Sequence, residues 1–431
     1  MLRSLFLILP LLFSGFLHSQ EEDYVNDNVL KYDDHAYKPY IKTVQMHEST
    51  WDHASPIINL NSDELIELSF DDLDGDKKQY SVTFIHCNSD WTPSDLMTSE
   101  YLDGFIDLNF INFTYSMNTL QKYTHYSLLF PQQNLKFTKS GNFIALVYLN
   151  GDKKDLVLSR RFMVFDNKVN IGYSFRQSMG DDEQFSKQHL DFKITYAGYN
   201  VTNPNTDLKV TILQNNRWDN AVTDIKPTFM GGNELTYSLD DASTFSGGNE
   251  FRYFDIRSTR FLTERVKDVY RDDKLMNHAK LIDEENRAVK PYIFYNDFNG
   301  GFVIRNRESS GNQDVEADYI YVDFFMPYKN PESAGNFYIL GKLCDWRLNN
   351  SSKMSYNYKR MGYEKQLYLK QGFYNYQIVL SSDVKKGGDE TVIEGSHWET
   401  ENDYNILVYH RKLGTYYDQL IGFKKINSLK K

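Results

Sequence analysis

Apolar and polar positions alternate with a period of two along most of the chain. Tyr80, Val82 and Phe84 share one face of a segment whose other face carries Ser81 and Thr83. Leu190, Phe192, Ile194 and Tyr196 alternate with Asp191, Lys193 and Thr195, and Leu208, Val210 and Ile212 repeat the pattern. Ile320, Val322, Phe324 and Met326 form a later face, followed by Leu367 and Leu369 and by Tyr374, Tyr376, Ile378 and Leu380. Successive side chains of an extended chain point to opposite sides, so this pattern predicts half-buried β-strands. Residues 142–149 are largely apolar on both faces and predict a central strand. Residues 157–164, interrupted by Arg160 and Arg161, predict a last strand of the first unit. Tyr404, Ile406 and Val408 read as the closing strand of the last unit.

Turn signals separate these segments: Asp74-Gly75, Asn150-Gly151, Gly231-Gly232, Gly247-Gly248, Asn299-Gly300-Gly301 and Gly387-Gly388. No long amphipathic helix intervenes. Strands joined by short turns predict antiparallel sandwiches rather than βαβ units. Only residues 262–288 carry a mixed, charge-rich pattern, which predicts a short helix or a long loop. One boundary is expected at Phe165-Asp166-Asn167 and a second in the polar stretch 307–316. The expected fold is all-β, with three antiparallel β-sandwich domains in series at 20–165, 166–316 and 317–431. A length of 431 residues fits about three domains.

Composition agrees with that reading. Aromatic residues make up 15% of the chain, mostly Tyr and Phe, which favour the pleated surface of a sheet. Residues 1–19 have the form of an export signal: Arg3, then a short apolar run from Leu5 to Phe16. Removing them moves the formal charge from −11 to −12, which argues against a nucleic-acid partner. No later stretch is apolar and long enough for a membrane-spanning helix, so no direct membrane insertion is expected. Cys87 and Cys344 are expected in different domains, as small buried thiols.

Candidate chemistry is sparse. The chain has no G-x-S-x-G, no H-E-x-x-H, no P-loop and no G-x-G-x-x-G, so no catalytic residue, metal ligand or cofactor is assigned. Asp71-Asp72-Leu73-Asp74-Gly75-Asp76 concentrates carboxylates around a glycine, as calcium loops do. It lacks the trailing glutamate of an EF-hand and is followed by Lys77-Lys78. It therefore reads as a polar hairpin turn, with calcium left open. Trp51, Trp91, Trp218, Trp346 and Trp398 are possible platforms for a flat ligand, although burial in a core is the default for each.

Two resemblances follow from ordered motifs. Residues 337–380, with Gly341, Cys344-Asp345-Trp346, Met354, Tyr363 and Gly372-Phe373-Tyr374-Asn375-Tyr376, resemble the early-set immunoglobulin-like domains that include glycogen-binding modules. That resemblance implies immunoglobulin-like sandwiches. It also offers an alternative function as an exported carbohydrate-binding module protein, for which only Trp346 matches a platform position. The whole chain is similar to the plug proteins of the type IX secretion system. The likeness rests on residues 70–76, Phe84-Ile85-His86-Cys87 with Asp90-Trp91, residues 99–105, and Tyr123-Thr124-His125-Tyr126. It continues through Lys139-Ser140-Gly141-Asn142, residues 160–164, Leu369-Lys370-Gln371-Gly372 and residues 395–404. The resemblance implies a non-enzymatic periplasmic subunit. Its expected partner is the outer-membrane translocon barrel, whose periplasmic mouth it would close. The resemblance supplies no catalytic residue and no map of the barrel contacts.

Overall fold

The alternating segments are strands in a computed structural model that describes residues 29–177, 183–238, 244–384 and 387–429. The export signal expected at 1–19 lies outside the described residues. In the first sandwich, one sheet runs in the order His35–Ala36, Asp152–Phe165, Gly141–Leu149, Tyr80–Cys87 and Asp107–Asn109. Ile57–Asn59 pairs parallel with Asp152–Phe165. The facing sheet runs Ile41–Glu48, Ile66–Asp72, Thr124–Phe130 and Asn112–Tyr115. Phe70, Phe84, Tyr126, Phe143 and Phe162 fill the space between the two sheets.

Asp74-Gly75 does not close a hairpin. Ile66–Asp72 pairs with Ile41–Glu48 and Thr124–Phe130, whereas Tyr80–Cys87 pairs with Gly141–Leu149 and Asp107–Asn109. The acidic turn therefore crosses from one sheet to the other. Alternation alone does not distinguish these cases, because a strand entering the opposite sheet shows the same period as a hairpin partner.

The second sandwich begins with the strand Asn170–Gln177. Its first sheet orders Asn170–Gln177, Lys187–Thr195, Glu234–Tyr237 and Phe229–Gly231, with Thr244–Ser246 beside Lys187–Thr195. The other sheet orders Val222–Thr223, Leu208–Gln214, Asp403–His410 and Gln419–Asn427. Tyr404, Ile406 and Val408 thus pack against Leu208, Val210 and Ile212, not in the last sandwich.

The third sandwich lies between these two parts of the second. One sheet contains Arg252–Asp255, Gly372–Ser381, Phe302–Ile304 and Asn336–Leu340. The other orders Val266–Arg271, Asn277–Leu281, Tyr319–Pro327, Gly362–Lys370 and Ser355–Asn357. Residues 262–288 hold two paired strands rather than a helix or long loop. The polar stretch 307–316, read as a boundary, is a connection inside this sandwich ending in the short helix Gln313–Glu316. Turn-rich loops and linkers share one composition, so the sequence does not separate them. The serial arrangement is therefore replaced by an insertion, with strand contributions to the second sandwich about 190 residues apart in sequence.

Residues 142–149 earn their apolar character on both faces. One face joins the first core, and the other presents Ile144 and Leu146 to Leu407, Tyr409 and Leu420 of the second sandwich. The first two sandwiches therefore share an apolar seam.

Candidate functional site

The residues singled out as possible ligands have protein partners. Trp346 is half-buried and has a positive φ of 56°. The Arg217 guanidinium lies 4.7 Å from the centre of its ring, and Phe251 meets it edge-on at 5.8 Å. At its far edge lies Gly300, where a Cβ would stand 2.2 Å from the indole. Trp346 thus joins the second and third sandwiches, and Arg217 covers a ring face that a sugar would need. Trp91 is buried in the apolar seam, edge-on to Trp218 at 4.9 Å, with the Arg161 guanidinium at 4.5 Å from its ring. Trp51 is exposed and packs edge-on against His53. Cys87 and Cys344 are both free, in the first and third sandwiches, and burial pushes the Cys87 thiol up to about 12.

Asp72, Asp74 and Asp76 bring their carboxylates close enough to share a cation. Lys78 takes that place: its ammonium lies 2.8 Å from Asp72, 2.5 Å from Asp74 and 3.1 Å from Asp76. An internal ammonium occupies the position between the carboxylates that calcium would need. Millimolar calcium is therefore expected to leave the melting temperature unchanged. A rise of several degrees in differential scanning fluorimetry would show that calcium displaces Lys78.

Asp71, the neighbouring acid, points the other way and is 0% exposed. It accepts hydrogen bonds from Lys370 Nζ at 2.6 Å and from the Tyr319 hydroxyl at 2.7 Å, both from the third sandwich. His125 Nδ1 lies 2.7 Å from its other oxygen. Burial would raise the Asp71 carboxyl, but Lys370 and His125 outweigh it and hold the group below its ordinary value. Lys370 is itself 1% exposed, and its ammonium lies 4.2 Å from the centre of the Tyr123 ring. The Tyr123 hydroxyl donates to the Ala317 carbonyl at 2.7 Å, and Asp318 accepts from the backbone N–H groups of Leu120 and Gln121. The first and third sandwiches are joined by this buried polar node.

The other two seams also hold buried polar contacts. Between the first and second sandwiches, the Tyr409 hydroxyl donates to Asn142 at 2.8 Å, and Asp418 accepts from Ser89 Oγ at 2.8 Å. The segments leaving and re-entering the second sandwich run together. The N–H of His397 and the hydroxyl of Thr400 both donate to the Gly248 carbonyl. Arg252 links Glu394 at 2.9 Å and Glu284 at 2.6 Å, while Arg287 also binds Glu394. Burial would raise Glu394, but these arginines hold it below the ordinary range.

His86 illustrates how tightly the first sandwich is closed. Its Nδ1 lies 2.9 Å from Ser94 Oγ, and a Cβ on Gly141 would stand 2.4 Å from its Nε2. Burial pushes the imidazole down to about 4, against the Ser140 carbonyl. From pH 6.5 down to about 4, the unfolded chain binds a proton that the folded chain refuses. Stability from this group is present above pH 6.5 and falls by about 3 kcal/mol across that window. Urea unfolding at a series of pH values checks this: His86→Gln should show a shallower loss than the parent between the two values.

The model for the type 9 secretion system plug protein first domain matches residues 41–166, which is nearly the whole first sandwich. The chain is also similar to the crystal structure of a hypothetical protein from Parabacteroides merdae. That similarity has 33% identity and a TM-score of 0.88, covering 93% of this chain and 100% of the other. The chain belongs to the type 9 secretion system plug protein family. No curated protein matches it.

In this plug-family protein several motifs behind the sequence likeness meet at the seams. Residues 70–76, 123–126 and 369–372 supply the Asp71 node, while 395–404 forms the returning connection. Sequence reasoning found the motifs but not their meeting. No local signal marked that meeting, because Lys370 at the end of the strand Gly362–Lys370 reads like an exposed cation. The family carries a plug-type role in association with the secretion machinery, and a periplasmic or envelope location goes with it. The family and the all-β fold point to a non-catalytic protein. Among the described residues no helix is long and apolar enough to cross a membrane.

Proposed function

We propose that this protein is a periplasmic subunit that closes the periplasmic mouth of the outer-membrane translocon barrel of type IX secretion. The observation that carries this reading is the plug-family match to the first sandwich. The architecture suits the task. A compact chain of about 410 residues has a radius of gyration of roughly 22 Å, broad enough to obstruct a pore that passes folded cargo. Three sandwiches on single flexible linkers would obstruct poorly. Here the third is held by two connections and by the buried Asp71–Lys370 pair. Reversible closure calls for a moderate, polar-rimmed contact with the barrel rather than an obligate apolar one.

The deciding experiment is affinity purification of the tagged protein from its native envelope, together with permeability of a deletion strain to large hydrophilic antibiotics. The expected results are co-purification of the barrel and increased permeability. Failure to recover the barrel, with permeability unchanged, would end the proposal. Carbohydrate binding at Trp346 is disfavoured, because Arg217 covers one face of its ring.

A further inference from the structure

A cleft of about 1930 Å³ separates the edge of the first sandwich from the outer face of the third. Its walls are strongly basic in a chain whose formal charge is −11. Eleven Lys and Arg residues border it, with Lys370 committed to buried Asp71 and Arg347 paired with Asp33 at 2.7 Å, against three carboxylates. Those carboxylates are already engaged: Asp345 with Arg160 at 3.2 Å, Glu364 with Arg360 at 3.1 Å, and Asp323 as acceptor from Gln366 at 2.7 Å. Lys274, Lys280, Lys342 and Lys353 form no ion pair with any carboxylate among the described residues. A low-dielectric cleft lined by one sign of charge focuses its field on an oppositely charged visitor.

The wall also carries a row of rings. His278 stacks on Tyr270 at 4.8 Å and on Tyr321 at 5.0 Å, and Tyr321 packs against Tyr368 at 4.5 Å. The two faces of Tyr321 are therefore occupied by its neighbours. This arrangement is unsuited to stacking a sugar. The volume exceeds the roughly 300–1,000 Å³ of small-molecule sites, which favours a segment of polymer. We propose that this cleft binds an acidic polypeptide segment of a partner protein, with lysine ammonium groups pairing its carboxylates. The inference is independent of the barrel-closing role.

Fluorescence anisotropy with a labelled poly-glutamate peptide and the mature protein tests it. Binding is expected at about 50 mM salt and should weaken strongly at about 500 mM, where screening is short-ranged. Lys274→Glu/Lys280→Glu/Lys353→Glu should weaken binding by about tenfold or more, as charge reversal at complementary surfaces does. Lys136→Glu/Lys226→Glu/Lys412→Glu makes the same charge change outside the cleft and should leave affinity nearly unaltered. Should the cleft variant fail to fold by circular dichroism, hydrogen exchange on the parent decides. The peptide should then protect Asn277–Leu281 and Gly362–Lys370. The proposal is overturned by absence of binding, by equal loss in both triple variants, or by protection elsewhere. Cleft-dependent binding of phosphatidylglycerol vesicles without peptide binding would overturn it in favour of a lipid surface.

Discussion

Lys370→Met is expected to destabilise the protein by about 3–5 kcal/mol, the usual cost of leaving one member of a buried ion pair without its partner. Asp71 would remain wholly buried after losing an ammonium 2.6 Å away. The Tyr319 hydroxyl and His125 would still contact it, but neither carries the fixed charge of lysine. Asp71→Asn/Lys370→Met removes both charges and keeps an acceptor for Tyr319. It should recover at least half of the loss, because exchanging a whole buried pair for neutral groups is far milder than breaking it. The urea midpoint gives the energies. Hydrogen exchange should show loosening at Ile66–Asp72 and Gly362–Lys370, the two strands the pair connects. A single-variant loss below about 1 kcal/mol, the range of an exposed pair, would mean that the node does not hold the sandwiches together.

Arg252→Met should cost a similar amount, about 3–5 kcal/mol, for a different reason. Arg252 lies between two buried carboxylates, Glu284 and Glu394. Each keeps one other arginine, Arg265 at 3.0 Å and Arg287 at 2.6 Å, so neither is stripped completely. The Tyr376 hydroxyl also donates to Glu284. The pH dependence separates this effect from simple loss of packing. In the parent, Glu394 is held below its ordinary 4.5, so its stabilising contribution is present above that pH and is lost as pH falls through the lower folded value. The gap between parent and variant should therefore narrow in acid. A gap that stays constant from neutral pH to below 4.5 would assign the cost to lost side-chain packing.

Both predictions concern residues that a reading for catalytic signatures passes over. Lys370 ends an alternating strand, and Arg252 stands at the beginning of another. Nothing local distinguishes them from exposed cations. Their importance comes from partners 299 residues away in one case and 142 in the other. Trp346 shows the converse. Its turn resembles a sugar platform locally, yet Arg217 and Phe251 from elsewhere in the chain surround the ring.

The sequence by itself determined the all-β class, many of its longer strands and the ordered motifs of the plug family. These follow from side-chain alternation and turn chemistry, which are properties of neighbouring residues. Tertiary structure alone decided that Asp403–His410 returns to pair with Leu208–Gln214 and that the acidic turn crosses between sheets. It also decided that Asp71 meets Lys370 and that lysines from separated strands and loops line one cleft. A strand has the same period of two whichever edge it joins. A charge remains buried only where a distant part of the chain supplies its partner.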